Sequence, residues 1–207
     1  IDHFNTVFPI LLERGIQGCF FPPAKAILKH EVLDVNKIHF ILASISDIPT
    51  ILDDIFNSLD KYRSEFSLKS NKYYFSKLAQ SNRYDPKEVI FIKRLLQVEL
   101  EVKLRQLITG ELFNKYVTNN ECAFSHELYM NIDQIKCMAQ NGMYIGSHGY
   151  AHCWLDNLSP EKQEKEIDSS LNFLNKVGSS IDNWVMCYPY GAYNNSLIDI
   201  IIKKNCK

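Results

Sequence analysis

The sequence predicts an α/β fold, with a parallel sheet or barrel built from strands that alternate with helices. Three observations predict it. Helical apolar periodicity alternates with short apolar runs towards both ends of the chain, and proline or glycine punctuates the changes between them. Two loops far apart in sequence, each directly after a short apolar run, hold the residues richest in chemistry. In such folds functional groups gather at the carboxyl ends of the strands.

The elements follow in order. Phe4, Val7, Phe8, Leu11 and Leu12 stand at i, i+3, i+4, i+7 and i+8, so Phe4 to Arg14 reads as a helix closed by Gly15. Gly18 to Phe21 reads as a buried strand, which Pro22-Pro23 ends because proline cannot donate to a ladder. From about residue 27 to 125 the alternation stops, and the stretch reads as a mostly helical insertion within a single domain spanning 1–207. Asp47 to Asp60 is one amphipathic helix there. Asp85-Pro86-Lys87-Glu88 starts a longer one, running to about Thr109 with two apolar stripes. Two stripes imply packing on two sides, either between neighbouring helices or as a lid or a homo-oligomer contact.

Beyond the insertion, Asn131 caps a helix from Ile132 to Gln140, Asn141-Gly142 stops it, and Met143 to Ser147 is the next strand. Ser159-Pro160 starts a helix that runs to Gly178, because serine caps and proline suits the first helical position. Trp184 to Cys187 reads as a short strand and Leu197 to Lys204 as a helix. The chain enters a helical pattern at Ile1 and stops just after that last helix, so it is expected to be a fragment of a larger domain, incomplete at both ends.

Composition narrows the function classes. With 207 residues, 46% of them hydrophobic and 23% charged, the chain can bury an ordinary globular core. A formal charge of −1 without a basic face argues against nucleic acid as a partner. No apolar run is long enough to span a bilayer. The six cysteines show no CxxC pair and read as free thiols, neither a zinc ribbon nor a disulfide scaffold.

Chemistry concentrates in Gly146-Ser147-His148-Gly149-Tyr150-Ala151-His152, where two imidazoles stand four residues apart just past a strand. Neutral imidazoles at such spacing can share one divalent ion, and catalytic zinc usually takes three protein ligands plus water. A second loop, Cys187-Tyr188-Pro189-Tyr190-Gly191-Ala192-Tyr193-Asn194, also opens from a strand end. Cys153 beside His152 raises a thiol nucleophile as an alternative, but sequence neighbours point apart and no orienting acid or amide is evident. Asp2 is read as a helix-start acid, and His3, His30, His39 and His126 as surface or packing residues.

Together with Gly15-Ile16-Gln17-Gly18-Cys19-Phe20-Phe21, these two loops resemble the polysaccharide deacetylases of carbohydrate esterase family 4 in motif, order and spacing. The resemblance covers Asp2 to about Ala26 and Tyr129 to Lys207. It implies a distorted (β/α) barrel and metal-dependent removal of N- or O-acetyl groups from an acetylated amino-sugar polysaccharide or oligosaccharide. It also implies a divalent metal, zinc above others, with His148 and His152 as two of its ligands. Pro189 and Tyr190 would shape the acetyl pocket, and the Tyr190 backbone N–H would be the oxyanion donor. The general base and third ligand, an Asp-Asp pair in the family, would lie just before Ile1, and the general acid after Lys207. Tyr150, Trp154, Tyr190 and Tyr193 are candidates to stack on sugar rings. Two positions depart from the family pattern: Cys187 stands where many members have arginine, and Gly149 where many have Ser or Thr. A non-catalytic relative that binds carbohydrate or a protein partner through the same groove is the alternative.

Overall fold

In the computed structural model, which describes residues 1–207, a π-helical turn, His3–Val7, leads into α1 (Phe8–Glu13), and Gly15 turns the chain at φ +64°. Strand β1 (Cys19–Phe20) follows, then α2 (Ala24–Lys29), α3 (Asp34–Ser44), α4 (Ile48–Tyr62) and α5 (Asn71–Leu78). Next come α6 (Lys87–Arg94), α7 (Val102–Tyr116), α8 (Glu121–Leu128) and α9 (Ile132–Gln140). Strand β2 (Tyr144–Ile145), α10 (Pro160–Lys176) and α11 (Asn195–Lys203) complete the order. The chain divides into two compact units, one of residues 1–31 with 122–207 and one of residues 32–121.

The first unit is organised on a narrow parallel ladder. β1 pairs with β2 in parallel, Cys19 opposite Tyr144 and Phe20 opposite Ile145. Ser147 then bridges Met186, and Trp184 bridges Cys206, both parallel, so four segments lie side by side in chain order. Trp184 to Cys187, expected as a strand, makes only these single bridges. No sheet closes, which departs from the expected barrel: four short segments contribute to the ladder, about half of the eight strands that closure takes. The core beneath is built from Ile135 and Met138 of α9, Ile167 and Leu174 of α10, Leu197 of α11, and Trp184, all buried. α9 begins with a capping box in which the Asn131 side chain accepts from Gln134 N and the Gln134 side chain accepts from Asn131 N.

The second unit is helical. Ile51, Ile55 and Leu59 of α4 and Leu104, Ile108 and Leu112 of α7 are buried, as are Ile38 and Ile41 of α3. The long helix expected from Asp85 to Thr109 is broken. α6 passes through a π-helical turn, Leu95–Glu99, to Leu100, whose φ −79° and ψ 155° are extended, before α7 starts. This resolves the two stripes: Phe91, Leu95, Leu96 and Leu100 are buried before the break, while Val98 and Val102 stay exposed beside it. The Arg105 guanidinium donates to the Gln97 carbonyl, giving one of the freed acceptors a partner.

Two carboxylates tie α4 to α7 in opposite senses. Asp54 of α4 accepts from Lys115 (2.6 Å) and from the Tyr116 hydroxyl, while Glu111 of α7 accepts from Lys61 (2.6 Å) and the Tyr62 hydroxyl (2.7 Å). Partial burial pushes both carboxyls up, but these hydrogen bonds and the lysine charges outweigh it and hold both below their usual range. A carboxyl whose folded pKa is depressed contributes stability above its unfolded pKa, near 4, and loses it as pH falls through the folded value. The melting temperature of wild type is therefore expected to fall more steeply below about pH 4 than that of an Asp54→Asn/Glu111→Gln double variant. Parallel melting curves between pH 6 and 3 would count against these ties.

Candidate active site

Adjacent ladder segments deliver both chemical loops to one end of the ribbon. Ser147 N donates to Val185 O (3.0 Å) and Cys187 N to Ser147 O (2.9 Å), so the chain leaving Ser147 and the chain leaving Cys187 emerge side by side. Gly146 permits this approach. A Cβ there would lie 2.4 Å from Phe21 Cε1 and 2.9 Å from the Val185 carbonyl oxygen.

The two imidazoles meet as the spacing implies. The ring centroids of His148 and His152 are 4.7 Å apart at an interplanar angle of 69°. His148 Nδ1 lies 2.7 Å from the Cys187 carbonyl oxygen, which can only accept, so in the neutral ring Nδ1 carries the proton and Nε2 keeps its lone pair. Burial first, and then the neighbouring His148, push the His152 imidazole down to about 4, so it is neutral at ordinary pH. Its Nδ1 is buried and has no hydrogen-bond partner. Neutral imidazole is the form that ligates metals, and an unpartnered ring nitrogen beside a second imidazole is an arrangement that a divalent cation satisfies. The pair supplies two donors, and no third His, Cys, Asp or Glu joins them to form a cluster of three.

The second loop closes over His152. Pro189–Gly191 makes a single 3₁₀ turn, with Tyr190 held left-handed at φ 58° and ψ 8°. His152 is left-handed too, at φ 54°. Such conformations cost non-glycine residues about 1–3 kcal/mol each and persist where the surroundings over-determine them. The Tyr190 ring meets His152 edge-on, centroids 4.8 Å apart at 70°, and stacks on Trp154 at 4.5 Å with planes 1° apart. Trp154 Nε1 is buried without a partner. Tyr193 is 57% exposed and stacks on Tyr188 at 5.2 Å, while Tyr150 packs against the core cluster. Thus His148, His152, Trp154 and Tyr190 form one chain of ring contacts in which Tyr150 and Tyr193 take no part.

Three contacts around the two loops escaped the sequence reading. The Cys187 backbone carbonyl, rather than its side chain, orients His148. On α10, Glu166 Oε2 accepts from Tyr150 N (3.1 Å) and Ala151 N (2.9 Å). Ser170 Oγ is 2.6 Å from Ser147 Oγ, which accepts from Gly149 N at 3.2 Å. The four-residue interval between Glu166 and Ser170 was a usable signal, because it places both on one face of a helix whose start was legible. The Cys153 thiol is pushed up to about 12 by burial and then by the Glu166 charge, so it stays protonated and is a poor nucleophile or ligand. All six cysteines are free. His3 lies edge-on to Phe20, and His30 stacks on His126 at 4.2 Å.

Two strand-end loops thus bring a histidine pair against a proline-tyrosine turn. The polysaccharide deacetylase family model matches residues 100–207, just over half of the chain, and the chain belongs to that family. A Bacillus subtilis (strain 168) protein named as a polysaccharide deacetylase, YxkH, is 29% identical over 76 residues, which are 37% of this chain and 27% of that protein. The match thus spans about a quarter of that relative's length. Among solved structures, the Streptococcus pyogenes deacetylase PplD in complex with acetate is similar over 78% of this chain and 75% of its own, with 18% identity and a TM-score of 0.36. No helix is long and apolar enough to cross a membrane.

Proposed function

We propose that the chain carries part of the active site of a metal-dependent deacetylase that removes N-acetyl, or O-acetyl, groups from a surface polysaccharide or its precursor. The observation that carries this reading is the His148–His152 pair packed against the Pro189–Tyr190 turn. His148 and His152 would hold a divalent metal, zinc above others, through neutral ring nitrogens. When bound, such a metal supplies Lewis-acid polarisation of the acetyl carbonyl and of an attacking water.

The remaining roles belong to the chain's own residues. The Cys187 carbonyl fixes the proton of His148 on Nδ1 and so leaves the Nε2 lone pair for a metal. Pro189 and Tyr190 shape the acetyl pocket, and the Tyr190 backbone N–H donates to the carbonyl oxygen as negative charge develops there. Loss of one such donor costs about 10²–10³ in rate. The stacked pair of Trp154 and Tyr190 offers an aromatic wall for a sugar ring, and Tyr150 and Tyr193 flank the same two loops. A carboxylate base and a third metal donor would complete such a set.

Because only two donors stand together within residues 1–207, a non-catalytic relative that binds carbohydrate or a protein is the second reading. Acetate release by the full-length protein from N-acetylglucosamine oligosaccharides and from an O-acetylated polysaccharide separates the two. Release that a chelator stops and zinc restores is the expected result. Release indifferent to chelation would sink the metal-dependent reading, and oligosaccharide binding with no acetate released would establish the binding module.

A further inference from the structure

Every backbone N–H between the two histidines is held, directly or at one remove, by one face of α10. Glu166 Oε2 takes the N–H groups of Tyr150 (3.1 Å) and Ala151 (2.9 Å), and the same oxygen lies 3.9 Å from where a Cβ on Gly149 would sit. The Gly149 N–H donates to Ser147 Oγ at 3.2 Å, and that hydroxyl is 2.6 Å from Ser170 Oγ. Ser170 lies one helical turn beyond Glu166, so the two side chains share a face of α10. From the other side, Lys25 N donates to the Tyr150 carbonyl oxygen at 2.9 Å. A loop that must keep His152 at φ 54° needs such over-determination, and hydrogen bonds to a carboxylate are roughly twice as strong as neutral ones.

We infer that Glu166 is a positioning residue: its carboxylate, clamping the Tyr150 and Ala151 amides, sets the separation and attitude of His148 and His152 and so prepares them for a divalent cation. The inference rests on the metal reading of the histidine pair. Glu166 itself touches neither ring in this role. It fixes the three-residue span that joins them, as partners outside the ligand set do in metal sites generally, where their loss costs about 10–100-fold in metal affinity.

The test is zinc titration calorimetry on the full-length protein, with far-UV circular dichroism and thermal melting on the same samples. Glu166→Ala is expected to weaken zinc binding by about 10–100-fold and to lower kcat for acetate release more than it raises KM. Glu166→Gln, whose amide oxygen can still accept both N–H groups, is expected to recover most of the affinity. Glu166→Asp, one methylene shorter, should recover less. A merely structural glutamate would lower the melting temperature in all three while leaving the zinc affinity of the folded molecules unchanged, and that result overturns the inference. If Glu166→Ala does not fold, the order of Glu166→Gln above Glu166→Asp decides, and equal affinities overturn it. His148→Ala keeps the two failures apart. If wild type and His148→Ala both fail to bind zinc, the metal reading falls and the inference with it; if only His148→Ala fails while Glu166→Ala binds like wild type, the inference alone falls.

Discussion

Replacing His148 or His152 with alanine is expected to weaken zinc binding to the full-length protein by at least about a hundredfold, because losing a residue that merely orients a ligand already costs 10–100-fold. Catalytic zinc sites rest on three protein donors, so removing one imidazole of the pair takes away a third of the set. The two variants should differ in what else they change. His148 is oriented by the Cys187 carbonyl at 2.7 Å, and truncating it frees that acceptor at an exposed position where water replaces the ring. His152 carries a buried, unpartnered Nδ1 and adopts a left-handed backbone, so its presence costs the metal-free protein stability. His152→Asn is therefore expected to lose zinc affinity as His152→Ala does while melting at a higher temperature, since asparagine tolerates the left-handed region best among side-chain-bearing residues. Calorimetric zinc heats and thermal melts of both variants check this. Zinc heats equal to wild type in His148→Ala and His152→Ala would mean that the pair packs without binding metal.

The parts legible in the sequence are those in which local chemistry decides the conformation. Asn131 and Gln134 stand at the spacing of a capping box, and the structure forms both of its hydrogen bonds. Ser159-Pro160 marks the start of α10, and Gly15 turns left-handed where α1 ends. The histidine pair was legible because its spacing and the preceding apolar run are both local. What could not be read depends on tertiary packing. Nothing in Gln97-Val98-Glu99-Leu100-Glu101 announces a break by glycine or proline, yet α6 and α7 part there so that Leu100 is buried while Val98 and Val102 remain at the surface. His152 and Tyr190 take conformations that sequence preference gives to glycine, so their geometry follows from the loop's anchors rather than from their own identity. The Glu166 clamp joins groups 15 and 16 residues apart, so the helical interval of Glu166 and Ser170 marks their shared face but not the amides they hold. The ladder beyond β2 consists of single bridges, Ser147 with Met186 and Trp184 with Cys206, although the apolar run Trp184 to Cys187 reads alone as a full strand.

Trp184→Ala is expected to be the most damaging substitution outside the histidine pair. The indole is fully buried in the core of the first unit, and its Nε1–H donates to the Lys204 carbonyl at 2.7 Å. Truncating a buried tryptophan to alanine costs about 3–5 kcal/mol through lost transfer free energy and the cavity left behind. A domain's whole stability is about 5–15 kcal/mol, so the variant keeps little in reserve. Trp184→Phe refills most of the volume but leaves the Lys204 carbonyl without its donor, a loss of about 1–3 kcal/mol, and should lie between alanine and wild type. The damage should also reach the site. Trp184 stands on the ladder segment that carries the Cys187 carbonyl and the Pro189–Tyr190 turn, and its own carbonyl accepts from Lys207 N at 2.9 Å. The sequence holds two tryptophans, so in both variants the remaining one, Trp154, stacked on Tyr190, reports the site within the same unit by its fluorescence. Urea titrations followed by Trp154 emission should show midpoints falling in the order wild type, Trp184→Phe, Trp184→Ala, with wild type followed by circular dichroism. A shift for Trp184→Ala worth less than about 1 kcal/mol would mean that the third ladder segment, and with it the Tyr190 turn, is held by something other than this side chain.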